Sequence, residues 1–217
     1  MLTFSRKAHA QQGDTLIEVL FALTVFSFIV VTALSLMNQG VAAAQRSLEI
    51  TTVRQQMDGQ AETIRFLHEA YIQSYQPGQT FDLTNATTTP AEEYYKIIQF
   101  VDTANRSSAS KFGGTNACVI PSDPSKDFVV NPVTAQLVST AIKPDLFKKA
   151  ATSAELTFGS GNQIGNSLGM WVEAIRSPVS GTSAGYIDYH IRACWDVTGS
   201  DLPMNLGTIV RLYEPRT

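Results

Sequence analysis

An α+β fold, with a long N-terminal helix packed on a C-terminal antiparallel β-sheet, is predicted for this 217-residue chain by three features of its sequence. Residues Leu16 to Met37 form an apolar run with a single charge, Glu18. A helical repeat continues past that run with no proline before Pro77. The last third then changes to a period of two, most clearly in YIDYHIRACWDV.

The apolar run comes first. Its 22 residues make a helix of about 33 Å, enough to cross the hydrocarbon core of a bilayer, so residues 14–37 are expected to be the transmembrane half of the helix. Arg6 and Lys7 precede it and put the N-terminus on the cytoplasmic side by the positive-inside tendency, which leaves everything after Met37 outside. A secretory signal peptide is the alternative, with Gly40 to Ala44 (GVAAA) offering small residues for cleavage.

Beyond the run, Val53, Met57, Ala61, Ile64, Leu67 and Tyr71 recur at helical spacing, with Arg54, Gln55, Asp58, Glu62, Arg65 and Glu69 between them. One helix from about Thr15 to about Gln73 would be close to 90 Å long. Gly40 and Gly59 are its soft points, each costing up to about 1 kcal/mol relative to alanine. Residues 38–76 are therefore read as an amphipathic half, stopped by Pro77-Gly78. Residues 77–217 are read as a head of variable loops and sheet.

Within the head, Pro90 to Val101 (PAEEYYKIIQFV) has a helix start, with Pro90 in the first turn and Glu92 and Glu93 at the positive end of the dipole. Ala104 to Asn116 reads as a surface loop. Ile187, Tyr189, Ile191, Ala193, Trp195 and Val197 alternate with Asp188, His190, Arg192, Cys194 and Asp196 in a half-buried strand. Met170 to Arg176 and Thr208 to Glu214 flank it, which predicts an antiparallel meander, and Ala154 to Phe158 offers a fourth strand.

Composition narrows the function. Hydrophobic residues make up 44% of the chain, enough for a core, and the formal net charge of -3 leaves no electrostatic footprint for nucleic acid, so no direct nucleic-acid binding is expected. The two cysteines, Cys118 and Cys194, lie outside the membrane in this topology, where a disulfide is the leading reading. Cys194 falls on the polar face of its strand, so the bond would clip the Ala104 to Ser125 region across the outer side of the sheet and not bridge the core.

Candidate chemistry does not survive inspection. Gly181 to Gly185 (GTSAG) matches the nucleophile-elbow pattern around Ser183, but a strand follows where a helix is needed, and Asp188 and His190 share one face of that strand. Gly159 to Gly165 (GSGNQIG) has the wrong spacing for a phosphate loop and no long helix pattern after it. His9, His68 and His190 have no common ligand spacing, and Asp196 and Asp201 bracket a loop better read as a solvated turn than as a calcium site. No catalytic role, metal or cofactor is expected. The loops around Thr84 to Thr89 and Ala104 to Asn116 are where a ligand surface would be easiest to build.

What remains specific is Glu18, a carboxylate at the edge of a span, where a charge is costly and needs a partner. QQGDTLIEVLFALTVF resembles the N-terminal processing and methylation motif of type IV prepilins and type II secretion pseudopilins. Gly13, Thr15, Leu16, Ile17 and Glu18 match it position by position: a basic leader ending in glycine, a threonine, two aliphatics, and a glutamate five residues after the glycine. The match covers about the first tenth of the chain.

The resemblance implies a pilin-like fold, with residues 1–13 as a leader cut between Gly13 and Asp14 by a prepilin peptidase, and methylation of the new Asp14 amine. It also implies that Glu18 pairs with that amine on a neighbouring subunit. Asp14 stands where the family usually has phenylalanine, and its carboxylate competes for the amine within the same chain, so cleavage is a firmer expectation than methylation. Losing Arg6 and Lys7 with the leader takes the formal side-chain charge from -3 to -5.

The implied partners are other pilin subunits, the peptidase, the inner-membrane assembly platform of a pilus or secretion system, and lipid before assembly. The implied location is the cytoplasmic membrane and then an extracellular filament, serving pilus assembly, adhesion, DNA uptake or secretion. A head of this size with long polar loops looks more like a minor than a major subunit. Two other readings stay open: a membrane-anchored binding domain that never polymerises, and a secreted enzyme behind a signal peptide.

Overall fold

The computed structural model describes residues 14–78, 81, 83, 88–108, 118, 120–121, 123–178, 184–197 and 202–215, with backbone alone at 14 and 15. The chain divides into two units, residues 1–48 and 49–217. Helix α1 is Asp14–Ser74 and α2 is Pro90–Ala104. The strands are β1 (Asp127–Val130), β2 (Leu137–Ser139), β3 (Phe147–Lys148), β4 (Glu155–Phe158), β5 (Ile164–Leu168), β6 (Met170–Ser177), β7 (Tyr186–Trp195) and β8 (Met204–Tyr213).

In the first unit α1 is exposed on every side from Leu16 to Ser47. Every apolar side chain from Leu16 to Met37 is exposed, which makes this a helix long and apolar enough for a single membrane span. Three of its hydroxyls bond within the helix: Thr24 donates to the Phe21 carbonyl at 2.7 Å, Ser27 to Leu23 at 2.8 Å and Thr32 to Phe28 at 2.9 Å, so these polar groups are satisfied without water.

In the second unit α1 becomes one-sided. Val53, Met57, Ala61, Ile64, Leu67 and Tyr71 are all buried, in one core with α2 and the inner face of a five-stranded sheet. That sheet has the order β2-β1-β6-β7-β8, antiparallel throughout, and contains the expected meander as β6-β7-β8. Val172 lies opposite Ile191 and Tyr189 opposite Val210, which aligns the inward residues of the three strands. Two glutamines of α1 bond to strand backbone: Gln60 accepts from Val130 N at 2.8 Å and donates back to Val130 O on β1, while Gln56 accepts from Leu156 N at 2.8 Å on β4.

Helix α2 begins with a capping box, in which Thr89 Oγ1 accepts from Glu92 N at 3.3 Å and Thr89 N donates to Glu92 at 2.6 Å. It ends at Asn105, whose left-handed φ of 40° closes the last turn. The Ala154 to Phe158 segment does form a strand, but in a second, mixed sheet of order β3-β5-β4 and not as a fourth strand of the meander. Gly169 links the two sheets at φ 64°, with its carbonyl accepting from Cys194 N at 2.7 Å.

Candidate functional site

The motif residues head α1. Asp14 is its first residue, and Leu16 and Ile17 are exposed at 67% and 70%. Glu18 is exposed one turn into the helix and makes no hydrogen bond or ion pair among the described residues. Gly13 lies outside the described residues, and the side chains of Asp14 and Thr15 are not described. The arrangement is therefore one carboxylate, Glu18, as the single charge between Leu16 and Met37, one turn after the acidic residue Asp14 that begins the helix. An anion there is favoured by the helix dipole but unfavourable in hydrocarbon.

The other candidates are resolved by their partners. Gly181 to Ser183 lie outside the described residues, but the Asp188 carboxylate that would serve such a serine is held by Arg211 through two bonds of 2.7 Å, which keep it below the usual carboxylate range. Ser160–Asn162 is a single 3₁₀ turn followed by β5, so the glycine-rich segment opens no phosphate-binding helix. His68 Nε2 donates to the Tyr213 carbonyl at 2.9 Å, and His190 sits on the outer face of β7, apart from it; His9 lies outside the described residues. Asp196 accepts from Cys118 N at 3.0 Å and pairs with Lys149, while Asp201 lies outside the described residues. Among the described residues no three His, Cys, Asp or Glu side chains come together as a metal site.

Cys118 and Cys194 form a disulfide, with Cα atoms 5.6 Å apart. Cys194 does point to the outer face of the sheet, opposite Trp195, but the expectation that the bond lies apart from the core is corrected: the two cysteines are only 6% and 4% exposed and belong to the buried cluster. The reason is that this end of the outer face is itself covered. Phe147, Ile120 and Pro121 gather with Trp171 and Cys118 there.

Sequence reasoning missed a buried ion cluster on the same outer face. Trp171, Glu173, Arg192 and Asp127 all point that way because the register pairs Trp171 with Arg192 and Asp127 with Glu173. Arg106, just past α2, reaches Asp127 at 2.6 Å; Arg192 Nε lies 3.3 Å from Glu173, and Trp171 Nε1 donates to Glu173 at 2.9 Å. Burial pushes the Asp127 carboxyl up to about 7, outweighing the Arg106 guanidinium beside it, with Glu173 adding to the rise. The available signal was the alternation of MWVEAIR, which puts Trp171 and Glu173 on one face.

Comparison of the chain with family models, with curated proteins and with solved structures finds no match.

Proposed function

We propose that this chain is a structural, non-catalytic minor subunit of a type IV pilus or of a type II secretion-type pseudopilus. In this reading a prepilin peptidase cuts it between Gly13 and Asp14, and α1 carries it into a filament. The observation that carries the proposal is Glu18: a carboxylate five residues after Gly13, at the head of an apolar helix that its own chain leaves uncovered.

The physics favours a partner for that carboxylate. A charge in a span costs roughly 2.5 to 3.5 kcal/mol at the membrane centre and less towards the interface. The cationic terminus at Asp14 of a neighbouring subunit would neutralise it, so docking is favoured and the axial register is set by one ion pair. The exposed apolar side chains from Leu16 to Met37 would pass from lipid to a bundle of like helices without meeting water. The assembly platform of the inner membrane and the other subunits are then the partners, and the head is displayed outside the cell.

Glu18→Ala tests this. The variant should insert into the membrane normally, as judged by carbonate extraction, yet be lost from the sheared filament fraction. Normal incorporation of an inserted Glu18→Ala chain would overturn the proposal. The minor role is tested by abundance: this chain as the main component of purified filaments would contradict it.

A further inference from the structure

The second unit contains an open cleft of about 370 Å³, within the size range of small-molecule sites and separate from the motif at the head of α1. Tyr71 and Tyr75 from the end of α1 and Tyr94 and Tyr95 from α2 line it. Tyr71 and Tyr94 are buried and form the floor, and Tyr75 and Tyr95 are half-buried walls. Three of the rings are in direct contact, Tyr71 lying 5.7 Å from Tyr75 and 5.3 Å from Tyr94, centroid to centroid, and Phe81 links Tyr71 to Tyr95 at 5.5 and 5.2 Å. Four of the seven tyrosines of the chain thus meet at one opening, although phenylalanine or leucine would fill a core edge without desolvating a hydroxyl.

The rim is charged. Arg176, from β6, lies between Asp102 at 2.5 Å and Glu214 at 2.6 Å. His68, the other basic residue lining the cleft, is anchored through Nε2 to the Tyr213 carbonyl. Two carboxylates against one guanidinium leave the opening with a formal excess of one negative charge beside the faces of the aromatic rings. Both features attract the same chemistry, because the negative ring face and a carboxylate each bind a cation. An anionic ligand has no claim on Arg176, which is already held on two sides.

We propose that this cleft binds a quaternary ammonium group of the choline-headgroup type. The cation would sit against the tyrosine walls, with the Asp102 and Glu214 pair holding its charge at the rim. Tyr186 offers an internal contrast, since its ring is already covered by the chain's own Arg211 at 3.9 Å.

The test uses the full chain labelled with 3-fluorotyrosine in maltoside micelles, which carry no ammonium headgroup, and followed by fluorine NMR. Single Tyr→Phe variants assign the signals. Titrating choline chloride should move the signals of the four cleft tyrosines saturably, on the order of millimolar concentration, and leave Tyr186 and Tyr213 in place. The neutral isostere 3,3-dimethylbutan-1-ol should bind at least about five-fold more weakly, as should choline to Asp102→Asn, the effect of one charge contact near water. N-acetyl-lysine methylamide run in parallel should bind more weakly than choline; tighter binding would overturn the headgroup assignment in favour of a lysine side chain. Absence of a saturable shift with choline, equal binding of the neutral isostere, or an unchanged affinity in a folded Asp102→Asn chain would each overturn the proposal.

Discussion

Replacing Gln60 by alanine should unfold the head far more readily than its place on a helix suggests. Asn131 N donates to Gln136 O at 2.9 Å, so the odd-numbered residues of β1 point their polar groups at β2 and Val130 points away from it. The pairing of β1 with β6 ends at Phe128, and the fully buried Gln60 amide takes the next place on the ladder with both an accepted and a donated bond. Gln60→Ala leaves a buried N–H and a buried C=O without partners, at about 1–3 kcal/mol each, for a total of about 2–6 kcal/mol. Urea unfolding of the full chain in detergent, followed by the fluorescence of the buried Trp171 and Trp195, reads this out. With a slope of about 2 kcal/mol/M the midpoint should fall by 1 M or more. Gln55→Ala, at an exposed position of the same helix, is the control and should change stability by less than about 0.5 kcal/mol. A Gln60→Ala loss under about 1 kcal/mol would refute the reasoning.

Further outcomes follow from the same structure. Because the folded Asp127 carboxyl titrates near 7 and an unfolded one near 4, the folded state holds the extra proton between those values, so this residue makes stability fall as pH rises from about 4 to about 7. The difference between wild type and Asp127→Asn in urea midpoints across that window should show the fall, and parallel curves would contradict it. Gly169→Ala should cost more than about 3 kcal/mol or prevent the Cys118–Cys194 bond, since the added Cβ would lie 2.1 Å from the Cys194 carbonyl oxygen at a positive φ. Gly59→Ala, with nothing within 4 Å in a helix interior, should stabilise by up to about 1 kcal/mol; a loss there would mean the helix needs that glycine.

Much of this architecture was legible where periodicity is strong. The six apolar positions from Val53 to Tyr71 mark the buried face of α1, Pro90 marks the start of α2, and the alternation from Ile187 to Trp195 marks β7. Strand β8 begins at Met204, four residues before the expected Thr208, because Asn205 and Gly207 read as loop until they pair with Cys194 and Arg192. The strands β1 and β5 were not legible for opposite reasons. All four residues of DFVV are buried, so β1 lacks alternation, and IGNSL is too polar to stand out. Glutamines 56 and 60 carry no periodic signal, since a polar residue on a buried helix face is explained only by the strand it meets.

The candidate site divides in the same way. Gly13 to Glu18 is legible as a local motif, because its chemistry is read in sequence order along one helix. The Arg106, Asp127, Glu173 and Arg192 cluster and the tyrosine cleft join residues far apart in the chain, and only the β1-β6-β7 register and the position of α2 bring them together. The burial of Cys194 was hidden for the same reason, since what covers the outer face is a distant segment.

The most direct measurement is the mature N-terminus of the protein, by mass spectrometry of the native membrane and sheared surface fractions. Prepilin processing predicts a chain beginning at Asp14, methylated or not. A terminus near Ala44, or an uncut chain, would contradict the proposed filament subunit.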